Sequence, residues 1–168
     1  MLPGLDVLTE KTLAAIAAED PTAILLADHE WLRDVIEAYR HQLGTPGNLA
    51  EVQAAMLELK PRLELHIRRE EEAYFPAVEA FMQESGQGST FDMYGEHDAI
   101  RIRLEELLIA LDRQSMESHA YGAFSRSILV HFENEEELIF AEAPAHLTDS
   151  ACRDILKLFE ALSVADPQ

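Results

Sequence analysis

A histidine followed four residues later by a glutamate occurs twice in this chain, at positions 65 residues apart. The two copies are His66 with Glu70 and His131 with Glu135, and they lie in ten-residue segments that share five identical residues. On a helix, residues four apart point the same way, one turn from each other. Each copy therefore presents an imidazole and a carboxylate side by side if its segment is helical.

A second, shorter match precedes each copy. The segment Asp28-His29-Glu30-Trp31-Leu32-Arg33 corresponds to Glu96-His97-Asp98-Ala99-Ile100-Arg101. The chain thus consists of two related halves, each with one histidine and then a His–Glu pair. Four histidines and two carboxylates arranged in this way predict a dinuclear metal site.

The apolar residues recur at helical spacing nearly throughout, and the alternation typical of strands is almost absent. Long helices with short connections predict an all-α, up-down-up-down four-helix bundle with extra short N- and C-terminal helices. Pro61 and Pro76 are expected to kink the second bundle helix. The predicted bundle helices span about 21–43, 48–84, 90–113 and 117–141, and the extra helices span about 6–18 and 149–163.

All six candidate ligands lie on helical stripes that are otherwise apolar, so we expect them to face the interior of the bundle. The second stripe is predicted to continue past Glu70 to Ala73 and Ala77, and the fourth past Glu135 to Leu138. Charged groups inside a core are either paired or bound to metal, because burying them alone is costly. One His–Glu pair is compatible with a structural hydrogen bond, but the matched set of six favours metal.

The charge and apolar content of the chain limit the partners and the cellular location that we expect. The 168 residues include 32 acidic and 13 basic side chains, a formal net charge of −19, which should repel nucleic acid and anionic membrane surfaces. No apolar run approaches the length of a membrane span, and no secretory signal pattern follows Met1. We expect a cytoplasmic protein with a single domain over residues 1–168 and a metal-binding bundle at about 22–142; the oligomeric state stays open.

Imidazole and carboxylate ligands without thiolate suit iron, manganese or zinc. If Glu70 and Glu135 bridge two ions about 3.5–4 Å apart, the four histidines supply two nitrogens per ion, and solvent or a small ligand completes the coordination. Ferritin-like di-iron bundles are excluded because they use Glu-x-x-His, with a spacing of three. The zinc-protease pattern His-Glu-x-x-His is also missing. The other histidines are expected at the surface: His41, His119 and His146.

At these positions the chain resembles the hemerythrin family, specifically the hemerythrin-like branch of HHE cation-binding domains. The resemblance covers about residues 22–142. It implies a four-helix bundle with an oxo- or hydroxo-bridged pair of iron ions, iron being preferred over manganese or zinc. The residues that carry it are His29, His66 with Glu70, His97, and His131 with Glu135.

The chain departs from the oxygen carriers of that family at two places. Those carriers have two histidines one turn apart on the third helix, whereas the neighbours of His97 at that spacing are Met93 and Arg101. They also use His-x-x-x-x-Asp on the fourth helix, where this chain has Glu135 at the four-residue spacing. Because the chain lacks these two features, we expect a site that reacts with its small ligand and does not carry dioxygen reversibly.

The resemblance implies a non-haem di-iron protein that binds and reacts with dioxygen, peroxide or nitric oxide, in a stress response, in sensing or in a redox role. One alternative is an iron-donating repair factor for damaged iron centres, and another is a reversible dioxygen carrier. An enzyme that reduces peroxide or nitric oxide would need electrons, and hence a redox partner protein. Structural zinc is the least favoured reading, because an apolar bundle of this size should fold without metal.

Tyr74 is the one candidate for a catalytic residue. It lies one turn beyond Glu70, and its counterpart in the second half is Ile139. It is either an ordinary aromatic at the edge of the core or a phenol that hydrogen-bonds to, or reduces, an oxygen species at the metal. Four acidic neighbours have no assigned role, although some are candidates for orienting the histidines: Glu71, Glu72, Glu136 and Glu137.

Overall fold

The computed structural model describes residues 18–40, 49–85, 90–113 and 118–165, and all regular structure in these ranges is helical. The all-α prediction is confirmed. The predicted N-terminal helix and His41 lie outside the described residues. The α-helices are α1 (Pro21–Arg40), α2 (Leu49–Arg69), α3 (Phe75–Ser85), α4 (Phe91–Asp112), α5 (Ser118–Glu135), α6 (Ala143–His146) and α7 (Asp149–Ala165).

Two apolar clusters, one at each end of the bundle, form the core. The first joins the C-terminal part of α1 to most of α2, the C-terminal half of α4 and the N-terminal half of α5. The second joins the N-terminal part of α1 to α3, to Met93 near the start of α4 and to Phe140 just after α5. Successive bundle helices therefore run in opposite directions, as predicted. The candidate ligands lie between the two clusters.

The second and fourth bundle helices each contain one five-residue π-helical turn. Glu70–Tyr74 connects α2 to α3, and Glu136–Phe140 follows α5. In the first of these the backbone N–H of Phe75 bonds to the carbonyl of Glu70, five residues back. Helix α2 runs through Pro61 without interruption, and the departure from α geometry comes just before Pro76. The wider turns are a feature that apolar spacing did not predict.

These π-helical turns correct two predicted core positions. Ala77 and Leu138 were expected to face the core, but Ala77 is exposed and Leu138 is 44% exposed. The next residue along is buried in both cases: Val78 and Ile139 are both 0% exposed. A turn closed by an i→i+5 hydrogen bond contains one extra residue, so the inward-facing stripe moves on by one position after it.

The C-terminal helix α7 packs against the first half of the molecule. Its buried face carries Ile155, Phe159 and Leu162, and Arg69 at the end of α2 donates to the Ser163 hydroxyl at 3.1 Å. The predicted C-terminal helix is confirmed, with an end two residues later than expected. Within the described ranges, no helix combines the length and the apolar character needed to cross a membrane.

Candidate metal centre

The bundle brings all six sequence-predicted ligands together at its centre. His29 comes from α1, His66 from α2, His97 from α4 and His131 from α5, while each glutamate stands one turn after the histidine of its own helix. Every one of these side chains is at most 1% exposed. The π-helical turns begin at Glu70 and immediately after Glu135. The residues that follow each glutamate are therefore rotated relative to a continuous α-helix.

The six side chains form two groups that share both glutamates. One group is His29, His66, Glu70 and Glu135; the other is His97, His131, Glu70 and Glu135. Within each group, one ligand atom from each residue lies within 4.8 Å of all the others. This arrangement has the composition of two adjacent ion positions, each with two imidazoles and two shared carboxylates.

The Nε2 atoms of the histidines point at the carboxylate oxygens. His66 Nε2 lies 3.2 Å from Glu70 Oε1, and His131 Nε2 lies 3.2 Å from Glu135 Oε2. His97 bridges across to the other half, with Nε2 at 3.2 Å from Glu70 Oε2. Across the bundle, His29 Nε2 is 3.3 Å from Glu135 Oε2. Each carboxylate is therefore approached by imidazoles from both halves.

Many of these buried atoms lack a hydrogen bond with acceptable geometry, even where the distance is short. They include both carboxylate oxygens of Glu70 and of Glu135, and Nε2 of His97 and His131. Buried polar atoms are nearly always satisfied, because an unpaired one costs roughly 1–3 kcal/mol. The donor atoms that converge here are those that imidazole- and carboxylate-binding metals use. The residues therefore fit a metal pair.

The two carboxylates have very different proton affinities. Burial raises the pKa of both, but His66, His29 and His97 hold the pKa of Glu70 well below its usual range. For Glu135 the neighbouring Glu70 charge adds to burial, and its pKa rises to about 7. Two like charges that share one buried site cannot both ionise freely unless a cation compensates them.

Protons bound by the histidines supply part of the positive charge that balances the two carboxylates. Burial lowers the pKa of His29, but its contacts with Glu135, Glu136 and Glu70 outweigh burial and raise the value to about 10. In the same way, Glu70 and Glu71 raise the pKa of His97 to about 9. For His131, burial dominates and lowers the pKa to about 3.

Behind the candidate ligands, each histidine on α1 or α4 is held by a carboxylate from the opposite half. His29 Nδ1 donates to Glu136 Oε1 at 2.8 Å, and His97 Nδ1 donates to Glu71 Oε1 at 2.9 Å. Glu71 and Glu136 each follow directly after a ligand glutamate, so they are equivalent positions of the repeat. This contact directs the Nε2 atom of each ring toward the site.

Two equivalent arginines clamp those carboxylates. Arg33 donates to both oxygens of Glu136, at 2.7 and 3.0 Å. Arg101 donates to both oxygens of Glu71, at 3.0 and 3.2 Å, and also binds Glu64. Each arginine stands four residues after a ligand histidine of its own helix. Bidentate guanidinium–carboxylate pairs restrict the carboxylate more than a single hydrogen bond does.

The other two histidines are backed by the acidic residues that precede His29 and His97. His131 Nδ1 donates to Glu96 Oε2 at 2.8 Å. His66 Nδ1 lies 3.5 Å from Asp28 Oδ2 and makes no hydrogen bond. The two halves therefore differ at this point.

The sequence did contain a signal for these outer residues. The positions just before the first histidine, four after it and just after the ligand glutamate carry the same charge type in both halves. The sequence alone did not show which histidine each acidic residue contacts, because each acidic residue contacts a histidine of another helix. Glu72 and Glu137, in contrast, are exposed.

Aromatic rings pack beside the imidazoles. The ring of His29 stacks on Phe132 at 3.8 Å between centroids, and the ring of His97 stacks on Phe75 at 5.7 Å. Both phenylalanines are 0% exposed. These contacts limit rotation of the imidazoles and remove polar surface from the neighbourhood of the site.

Tyr74 is buried one turn after Glu70. Its hydroxyl lies 2.6 Å from the Thr22 hydroxyl and shares a hydrogen bond with it. Thr22 stands seven residues before His29, about 10 Å along the helix axis. The phenol thus has a partner on α1 away from the ligands, and its catalytic role stays a prediction. Among the other histidines, His119 and His146 are exposed, as predicted.

Comparison with known families agrees with this geometry. The family model described as the hemerythrin HHE cation binding domain matches residues 20–143. Searches of curated proteins and of solved structures gave no match. The matched range contains all six converging side chains and extends from the start of α1 to the end of the second π-helical turn and beyond. The chain belongs to the hemerythrin HHE cation-binding domain family.

Proposed function

We propose that the protein holds two iron ions, one between His29 and His66 and one between His97 and His131, with Glu70 and Glu135 shared. The proposed activity is a reaction of this pair with dioxygen, peroxide or nitric oxide. When bound, such a pair supplies one-electron redox chemistry and open coordination positions for a small ligand.

The observation that carries the proposal is the sharing of both glutamates between two groups of histidines. A single ion would need only one of these groups. Glu70 Oε1 lies 3.2 Å from His66 Nε2 while its Oε2 lies 3.2 Å from His97 Nε2. One carboxylate therefore faces both histidine pairs, as a bridging ligand must.

The surrounding residues prepare the site for cations. The carboxylates of Glu71 and Glu136 orient His97 and His29, which are then ready to bind through Nε2. Ligand positions are fixed before metal enters, so less ordering is needed on binding. Burial of all six ligands excludes bulk water, and electrostatic attraction to a cation is stronger there than at the surface.

Helix α4 supports reaction over reversible carriage. The residues one turn on either side of His97 are Met93 and Arg101. Met93 packs in the apolar cluster at one end of the bundle, and Arg101 is bound to Glu71 and Glu64. Neither supplies a further nitrogen ligand, so both ion positions depend on solvent or a small ligand to complete their coordination.

Metal analysis with an ultraviolet-visible spectrum tests the ligand assignment. The purified protein is expected to hold two iron ions per chain, and Glu70→Ala should lose most of the iron, because this carboxylate faces both positions. His119→Ala is the matched control and should keep two ions, because His119 is exposed. Equal iron loss in the two variants, with helical content preserved, would contradict the assignment.

The reaction itself is tested by mixing the reduced protein with air in a stopped-flow spectrometer. We expect rapid and irreversible conversion to the diferric spectrum, and a separate reaction with peroxide or nitric oxide. Repeated turnover with an electron donor would identify an enzyme, whereas a binding protein saturates stoichiometrically. Recovery of the diferrous spectrum under vacuum would instead support dioxygen carriage.

A further inference from the structure

The surroundings of the two ion positions differ although their ligands match. We propose that the position between His97 and His131 binds its cation more tightly than the position between His29 and His66. We propose further that Asn134 and Arg69, which occupy equivalent places in the repeat, set this difference. The inference rests on the proposed function, since it requires two ion positions.

Around the position between His29 and His66, the carboxylates behind the histidines are matched by guanidinium groups. Asp28, next to His66, accepts from Arg69 Nη1 at 2.9 Å. Glu136, which holds His29, accepts two hydrogen bonds from Arg33. Two carboxylates thus face two arginines, and little net negative charge remains near this position.

Around the position between His97 and His131 there is more negative charge. Glu96, which holds His131, accepts from the neutral amide of Asn134 at 3.0 Å. Arg101 is divided between Glu71 and Glu64. Three carboxylates therefore face one arginine. Excess negative charge close to a buried site favours a cation there, because charges are poorly screened away from bulk water.

The contacts of the outer histidine nitrogens also favour tighter cation binding between His97 and His131. His131 donates a 2.8 Å hydrogen bond to Glu96, whereas His66 lies 3.5 Å from Asp28 without one. A hydrogen bond from the outer nitrogen to a carboxylate makes the inner nitrogen a stronger metal ligand. In the first half, the Asp28 oxygen nearest His66 is the one that accepts from Arg69.

Screening by solvent reduces the difference in cation affinity between the two positions without reversing it. The side chains of Glu96 and Glu64 are 34% and 41% exposed, against 23% for Asp28, so the charge around the position between His97 and His131 is somewhat better screened. Glu96 nevertheless contacts His131 directly, and that hydrogen bond does not depend on long-range attraction.

Titration of the metal-free protein with Co²⁺ tests the inference. The wild type is expected to bind two ions in two resolved steps. The variant His131→Ala should lose the tighter step, while His66→Ala, its counterpart in the repeat, should keep the tighter step and lose the weaker one. Loss of the tighter step in His66→Ala, or a single unresolved step in the wild type, would overturn the proposal.

A charge substitution tests the assigned cause. Asn134→Arg places a guanidinium beside Glu96 and should weaken the tighter step by roughly tenfold or more. Val130→Arg adds the same charge one turn earlier, at a side chain that is 47% exposed, and should change that step little. Equal effects of the two variants would overturn the role of Asn134. Failure of every protein to bind two Co²⁺ ions would instead contradict the dinuclear site.

Discussion

His29 Nδ1 donates a 2.8 Å hydrogen bond to Glu136, a residue of the other half of the repeat. The equivalent contact, from His97 to Glu71, crosses in the opposite direction at 2.9 Å. Each half therefore orients a candidate ligand of the other. Neither half alone contains a fully positioned pair of histidines, so assembly of the site depends on the docking of the whole bundle.

The contact between His29 and Glu136 predicts a specific loss of metal affinity. Glu136→Gln removes the negative charge that holds the imidazole, and metal affinity should fall by roughly 10- to 100-fold. Competition with a chelator measures this. Glu137→Gln changes the next residue, which is exposed, and should leave the affinity near that of the wild type. Equal affinities for both variants would remove Glu136 from the positioning role.

The shift of register at the second π-helical turn predicts that two adjacent substitutions lower the free energy of unfolding by different amounts. Ile139→Ala should lower the free energy of unfolding by about 2–4 kcal/mol, because it empties a buried site. Leu138→Ala should cost less than about 1 kcal/mol, because Leu138 is 44% exposed. Urea denaturation compares the two. The reverse order would mean that the α-helical register continues past Glu135.

The hydrogen bond between Tyr74 and Thr22 predicts a structural effect of removing the phenol. Tyr74→Phe should lower the free energy of unfolding by about 1–3 kcal/mol, because the Thr22 hydroxyl is left buried without its partner. Addition of Thr22→Val should then cost little more, which a double-mutant cycle reveals. Iron content should stay the same. Altered peroxide reactivity in Tyr74→Phe would instead assign the phenol a role in the chemistry.

The metal-free protein should become less stable as the pH rises from 7 to 9. In the folded state the pKa of His29 is raised from 6.5 to about 10, and that of His97 from 6.5 to about 9. The folded protein thus binds more protons than the unfolded chain, and this stability is lost as pH rises through the folded values. The low pKa of His131 has its effect below pH 6.5, outside this window. Urea denaturation at several pH values measures the trend.

Metal binding should show the opposite dependence on pH. Histidines bind metal in the neutral form, so loading must displace the protons held by His29 and His97. Metal affinity should therefore rise between pH 7 and 9. At neutral pH at least two protons per chain should be released, because Glu135, whose pKa is raised to about 7, must also lose any proton it holds. Calorimetric titration in buffers of different ionisation enthalpy counts these protons. No proton release at pH 7 would mean that both histidines are already neutral.

Much of the site could be predicted from the sequence because helical periodicity alone decides which side chains share a face. His66 and Glu70 are four residues apart, and so are His131 and Glu135, which places each pair on one stripe. The apolar residues around His29 and His97 placed those histidines inward as well. The repeat then brought equivalent positions of two halves to the same level of an antiparallel bundle.

Only the tertiary structure decided which outer residue serves which ligand, and where the register changes. Glu136 lies 107 positions from His29 in the chain, and no local spacing connects them, because the contact arises from packing between α1 and the end of α5. The same holds for the choice of Val78 over Ala77 and of Ile139 over Leu138, since a π-helical turn depends on packing as well as on local propensity. The sequence by itself determined the bundle and the six inward-facing donors, because both follow from the spacing of residues along a helix. The cross-half contacts and the register shifts required the folded molecule, because they depend on how separate helices pack together.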